Sequence, residues 1–135
     1  MTRYLLDTNA VVALLNDAES SLARRVRQHS PEDICISSIV AHELFYGAYK
    51  SQHAGRNVAL VDSLRFEVLD FDKDDAREAG EIRAALASRG TPIGPYDVLI
   101  AGQAKARGMT LVTRNSGEFR RVASLCNEDS ESDAT

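Results

Sequence analysis

Three acids and one amide in this sequence stand where short apolar runs give way to helical patterns. Asp7 follows Leu5-Leu6, Glu43 lies inside a helical stretch that starts near Ser38, Asp97 falls two residues after Pro95, and Asn115 follows Leu111-Val112-Thr113. All four side chains offer oxygen. Such a set suits a hard cation, Mg²⁺ or Mn²⁺, whereas zinc prefers nitrogen or sulfur. A cation held this way lowers the pKa of a bound water, which is hydrolytic chemistry.

Each residue also has a structural reading. Asp7, with Thr8 and Asn9 behind it, can cap the helix that follows. The helix dipole favours an acid in the first turn, where Asp97 falls. Asn115 opens Asn-Ser-Gly, an ordinary turn. Glu43 is solvated if its helix is rotated outward. Two patterns favour chemistry. Glu43 has Ile39 and Gly47 at i±4 and is flanked by Val40 and Leu44, and a carboxylate in an apolar stripe is costly unless paired or metal-bound. Ile100, Ala101 and Ala104 follow Asp97 at three, four and seven residues, which turns Asp97 toward the sheet. Glu118, one helical turn beyond Asn115, either supports the site or is merely solvated. His42 precedes Glu43 but points about 100° away on a helix, as a structural or surface residue would.

The elements that must position these residues alternate. Strand-like runs at Tyr4–Leu6, 34–36, 67–71 and Thr110–Thr113, with a short fifth expected near 122–125, are separated by helical patterns at 10–16, 20–29, Ser38–Lys50, 56–64, 72–89 and 95–107. Gly90 and Gly108 stop the last two helices, and Pro95 opens the last. This alternation predicts an α/β fold, a mostly parallel sheet covered on both faces. Ligands bind such sheets beyond the carboxyl ends of their strands, where Asp7 and Asn115 fall.

The chain has 135 residues, 44% hydrophobic and 27% charged, enough for one domain with a real core and no wholesale disorder. The longest apolar run, residues 10–15, excludes a membrane helix, and no secretory signal is visible. Cys35 reads as a small buried hydrophobe, and neither it nor Cys126 belongs to a CxxC pair, so a cytoplasmic location is expected. Four acids in the tail 127–135 account for the whole net charge of −4. We expect a domain over 1–126 and a disordered acidic tail over 127–135. Within 105–121, Lys105, Arg107, Arg114, Arg120 and Arg121 face only Glu118, a local excess that suits a phosphate-bearing partner or is simply a solvated surface.

The runs Leu5-Leu6-Asp7-Thr8-Asn9 and Ser37-Ser38-Ile39-Val40-Ala41-His42-Glu43-Leu44-Phe45-Tyr46-Gly47 resemble the opening motifs of PIN-domain ribonucleases. Ile93-Gly94-Pro95-Tyr96-Asp97-Val98-Leu99-Ile100-Ala101 and Leu111-Val112-Thr113-Arg114-Asn115-Ser116-Gly117-Glu118-Phe119 continue the resemblance, which covers about residues 3–125 with four motifs in order. The nearest subgroup is the VapC-like toxins of toxin–antitoxin modules. The resemblance implies a three-layer PIN-like fold with a short sheet, and Mg²⁺ (with Mn²⁺ as substitute) bound by Asp7, Glu43 and Asp97. Asn115 stands at the fourth position, where many relatives have Asp; one charge fewer would hold a second metal more weakly. Asn9 and Thr113 fall where the family supports its site through hydrogen bonds.

The implied activity is in-line cleavage of exposed single-stranded loops in structured RNA, leaving a 5′-phosphate and a 3′-hydroxyl. The basic residues of 105–121 would hold the RNA backbone. The implied partners are a VapB-like antitoxin, a second copy of the chain, and a higher assembly of both. Phe45, Tyr46 and Tyr49 among the early helices suggest an exposed apolar groove for the antitoxin. After Leu125, relatives often continue a strand and end on an aromatic residue, whereas here the acidic tail follows. Two other enzyme classes fit less well. A haloacid-dehalogenase-type phosphatase needs a second acid where Asn9 stands, and a Ser38–His42 hydrolase lacks the G-x-S-x-G turn. The alternative of another kind is a non-catalytic PIN fold that only binds an antitoxin or RNA, which metal-dependent cleavage would distinguish.

Overall fold

The protein, here a computed structural model, is described over residues 3–17, 19–113, 116–122 and 127–129. Five strands form one sheet: β1 (Tyr4–Leu6), β2 (Ile34–Ser37), β3 (Glu67–Leu69), β4 (Thr110–Thr113) and β5 (Asn127–Asp129). Their order is β3-β2-β1-β4-β5, and every pairing is parallel. The helices are α1 (Thr8–Asn16), α2 (Ser21–Gln28), α3 (Ser38–Lys50), α4 (Ala54–Asp62), α5 (Lys73–Ser88), α6 (Pro95–Ala106) and α7 (Ser116–Phe119). Successive strand residues point to opposite faces, yet all four of β2 and the last three of β4 are buried. Helices therefore cover both faces, and the layers are helix, sheet, helix. Leu5, Cys35, Ile100, Leu111 and Phe119 lie at the centre of the core.

Local chemistry explains the boundaries. Asp7, Ser20 and Ser37 accept hydrogen bonds from the first turns of α1, α2 and α3, so α1 starts at Thr8, two residues before its apolar run. Asp72 and Asp75 close a reciprocal capping box on α5. Gly90 and Gly108 both take the left-handed conformation, φ 68° and 62°, that stops α5 and α6. β3 is shorter than the run 67–71, because its next backbone groups are engaged elsewhere. The Asp70 carbonyl accepts from Gln103 and Arg107, and the Phe71 amide donates to the Ser38 hydroxyl.

The C-terminal end differs from expectation. The fifth described strand is Asn127–Asp129, so the first residues of the expected disordered tail pair with β4 through Leu111↔Asn127, Val112↔Glu128 and Thr113↔Asp129, while most of the strand expected near 122–125 lies outside the described residues. Strand pairing is a backbone interaction, and β5 stands at the edge of the sheet. Residues 130–135 lie outside the described residues. The short α7 was not legible either; it buries Phe119 completely.

One contact fixes the axial position of α6, the helix that carries Asp97. A Cβ on Gly102 would lie 2.5 Å from the Ala79 backbone nitrogen, so α5 and α6 cross with their backbones in contact. Only glycine at 102 allows that approach.

Candidate active site

Asp7 leaves the carboxyl end of β1, where its amide donates to the Val112 carbonyl of β4 at 3.1 Å. Its side chain is only 2% exposed, and both carboxylate oxygens are occupied. Oδ1 accepts from the Ala10 amide at 2.8 Å, and Oδ2 accepts from the Thr113 hydroxyl. Asp7 is therefore a helix cap and a member of the acid cluster at once. Burial pushes its carboxyl above the usual range, opposed by the Thr113 and Ala10 hydrogen bonds, and the Glu43 charge adds to the rise.

Glu43 projects from α3, half-buried, and its Oε1 accepts from the Thr8 hydroxyl at 2.8 Å. Asp97 sits in the first turn of α6, also half-buried. Its carboxyl is pushed up to about 6, first by burial and then by the negative charges of Glu118, Asp7 and Glu43. Each of these three charges is negative. Glu118, on α7, accepts from the Gly94 amide through Oε1 at 2.5 Å. Gly94 is where α6 begins, and a Cβ there would stand 2.8 Å from Asp97 Oδ2. The missing side chain is what lets the carboxylate lie across the helix start.

The structure thus gathers Asp7, Glu43, Asp97 and Glu118 from four elements into one electrostatic neighbourhood. The donors are all oxygen, which fits Mg²⁺ or Mn²⁺ and not a thiophilic ion. As the side chains stand, no three His, Cys, Asp or Glu residues among the described ones close to metal-binding distance. Asn115 lies outside the described residues. Thr113 supports Asp7 directly, but Asn9 does not support the site. It is exposed on α1, because the Asp7 cap makes Thr8 the first helical residue and the 100° step sends Asn9 outward. Thr8 makes the supporting hydrogen bond instead, a role the sequence pattern did not single out.

The basic run 105–121 is not one surface. Lys105 pairs with Glu78 of α5 at 3.8 Å. Arg107 pairs with Asp75 at 3.0 Å and Asp72 at 3.4 Å, and donates to the Asp70 carbonyl. Both are at the end of α6 opposite Asp97, ten residues or about 15 Å from Asp97 to Arg107. There they tie α6 to the acids at the start and first turns of α5. Asp75 is 1% exposed, and the Arg107 guanidinium, with the Asp72 amide and Gln103, holds its carboxyl below the usual range despite burial. Arg121 donates to the Pro92 carbonyl at 3.1 Å and secures the loop before α6. Arg120 is exposed, and Arg114 lies outside the described residues.

A cleft of about 220 Å³ opens beside the acids, lined by Thr8 and Glu43 at one end and by Val12, Leu15, Leu60 and Val61 beyond. It is the apolar groove expected among the early helices, built from different residues. Tyr46 and Tyr49 are 61% and 68% exposed on another face of α3. Cys35 is a buried free thiol at the other end of the strands, in hydrogen-bonding contact with Arg3. No described helix is long and apolar enough to cross a membrane.

Comparison with known proteins gives a consistent result. The family model described as PIN domain matches residues 4–125. The tRNA(fMet)-specific endonuclease VapC of Shigella flexneri is 42% identical over 131 residues, covering 96% of this chain and 98% of that protein. Among solved structures, DNA-bound VapBC from Salmonella typhimurium superposes with a TM-score of 0.91 at 42% identity, over 96% of this chain and 99% of the other. VapBC2 from Rickettsia felis, bound to a promoter DNA fragment, superposes with a TM-score of 0.88 at 36% identity, over 95% and 98%.

Proposed function

Because the chain belongs to the PIN-domain family and to its VapC ribonucleases, we infer that it is the endoribonuclease toxin of a toxin–antitoxin pair, cutting structured RNA with Mg²⁺ or Mn²⁺. The observation that carries the metal reading is Asp97, whose carboxyl is held at about 6 by burial and by three other carboxylates. Clusters of acids that raise one another's proton affinity are found where a cation is to be bound.

In this reading Asp7, Glu43 and Asp97 hold the ion, with Asn115 as the fourth oxygen. When bound, the ion supplies a water of lowered pKa and polarises the scissile phosphate. The chain's own residues set the geometry. The Thr113 hydroxyl and Ala10 amide fix both oxygens of Asp7, the Thr8 hydroxyl orients Glu43, and Glu118 anchors the Gly94 amide so that Asp97 is aimed across the start of α6. Arg114 and Arg120 remain as backbone-holding cations. The substrate class follows the relatives named tRNA(fMet)-specific endonucleases: a structured RNA with an exposed loop whose bases can be splayed out. A VapB-like antitoxin is the partner, its apolar segment seated in the cleft beside Glu43, and the toxin works as a homodimer in the cytoplasm.

The test is expression of the chain alone, with sequencing of the 5′-monophosphate RNA ends that appear, alongside cleavage by purified protein. EDTA should abolish cleavage and Mg²⁺ or Mn²⁺ restore it. Asp7→Ala, Glu43→Ala and Asp97→Ala should each remove nearly all of it, because members of one site act together. Full cleavage by nuclease-free Asp97→Ala protein would overturn the assignment, and no cleavage by the parent would leave a binding module.

A further inference from the structure

Two aromatic residues each stand next in sequence to one of the acids, and the roles given to the acids leave them without a function. His42 immediately precedes Glu43 on α3, and Tyr96 immediately precedes Asp97 on α6. The rings come from different helices, yet their centroids are 6.1 Å apart at an interplanar angle of 55°. Both are exposed, Tyr96 by 44%. Exposure falls inward, from the rings through the half-buried Glu43 and Asp97 to the buried Asp7. The rings therefore take no part in the core and are open to solvent.

The same face of α3 carries more of this chemistry. Tyr46 and Lys50 follow His42 at four and eight residues, so they line up with it along the helix, and the Lys50 ammonium lies 5.1 Å from the Tyr46 ring. Aromatic faces interleaved with a cation are what a single strand of nucleic acid needs: flat surfaces for bases and a charge for the backbone. Of the clustered cations of 105–121, Lys105 and Arg107 are paired with α5, at the end of α6 away from the acids.

We propose that the His42–Tyr96 pair forms an aromatic clamp on the strand, an exposed ring face stacking on a nucleobase next to the phosphate that is cut, with the strand continuing along α3 past Tyr46. The proposal rests on the nuclease reading above. Stacking explains how a splayed loop is held without reading its sequence: every base has a π face, so the rings fix the strand's position over the acids. It also requires only the ring, not the hydroxyl of Tyr96 or the nitrogens of His42.

The experiment uses the full chain, with an RNA hairpin that carries the loop mapped by sequencing the cleaved ends. The same hairpin is also made with an abasic nucleotide 5′ or 3′ of the cut. Tyr96→Ala and His42→Ala should raise KM by about five- to one-hundred-fold, the range expected for losing one base–aromatic stack, with a smaller change in kcat. Tyr96→Phe and His42→Phe should stay within about threefold of the parent, the stack being retained. On one of the two abasic hairpins the parent and the alanine variants should behave alike. Alanine variants within twofold of the parent on the intact hairpin would overturn the proposal, and so would an equal loss on both abasic hairpins. Light scattering that shows an alanine variant falling from dimer to monomer would reassign the rings to an interface between copies. A parent that cuts no RNA would remove the nuclease reading and the clamp together.

Discussion

Replacing Asp97 with asparagine should destroy cleavage and yet make the metal-free protein harder to unfold. The Asp97 carboxyl is raised from an ordinary 3.8 to about 6 by burial and by Glu118, Asp7 and Glu43. Between roughly pH 4 and 6 the folded protein keeps a proton that the unfolded chain has released. Stability therefore falls as pH rises through that window, and the penalty is complete above about pH 6. At about 1.4 kcal/mol per pH unit the full shift would be about 3 kcal/mol. Asp97 is half-buried, so solvent screening reduces this to about 1–2 kcal/mol. At the usual unfolding entropy per residue, a domain of this size gains about 3–4 °C per kcal/mol, so Asp97→Asn should melt about 4–7 °C above the parent at pH 7.5 in EDTA. The assay is a set of thermal melts of both proteins between pH 4 and 8. The gap should close toward pH 4, where both side chains are neutral, and shrink at pH 7.5 when saturating Mg²⁺ stabilises only the parent. A gap that does not change with pH, or an asparagine variant that melts lower at pH 7.5, would refute the argument and make Asp97 a structural helix-start acid.

Three further outcomes follow from the same contacts. Gly94→Ala places a methyl 2.8 Å from Asp97 Oδ2 and should cut cleavage at least tenfold, with the melting temperature held within a few degrees; full activity would show that the carboxylate position is not critical. Thr8→Val removes the hydroxyl that holds Glu43 and should lower kcat about tenfold while KM stays near the parent value, read from steady-state kinetics. Arg107→Ala leaves the buried Asp75 without its cation and should cost about 3–5 kcal/mol in urea denaturation, without changing the salt dependence of RNA binding; a flattened salt slope would return Arg107 to the RNA path.

The sequence made most of the scaffold legible because its punctuation is local. Caps at Asp7, Ser20 and Ser37 and stops at Gly90 and Gly108 act within one helical turn, and the structure places element ends beside them. The proximity of Asp7, Glu43 and Asp97 was legible for a similar reason, since each sits a fixed step from a strand end or helix start. The pairing within the basic run was not legible, because charge density along the chain says nothing of what the next helix presents. Asp72, Asp75 and Glu78 on α5 take up Lys105 and Arg107 from some 30 residues away in sequence. Asn9 and Thr8 exchanged roles through one 100° step, which depends on whether Asp7 caps the helix. β5 gave no side-chain signal, because the edge of β4 recruits backbone and not hydrophobicity.

The strand order also sets when the protein can become dangerous to its own cell. β1 is made first but occupies the middle of the sheet, with β2 on one side and β4 on the other. Its partner Ile34 follows Tyr4 within thirty residues, whereas the Thr113 hydroxyl that completes Asp7 comes 106 residues later. Asp97 and Glu118 are likewise late in the chain. A ribosome must release nearly the whole polypeptide before the last strand and α7 can close around the first acid. A truncated or nascent chain carries Asp7 and Glu43 but not the rest of the cluster. The assembly of the acid cluster is thus deferred to the end of synthesis.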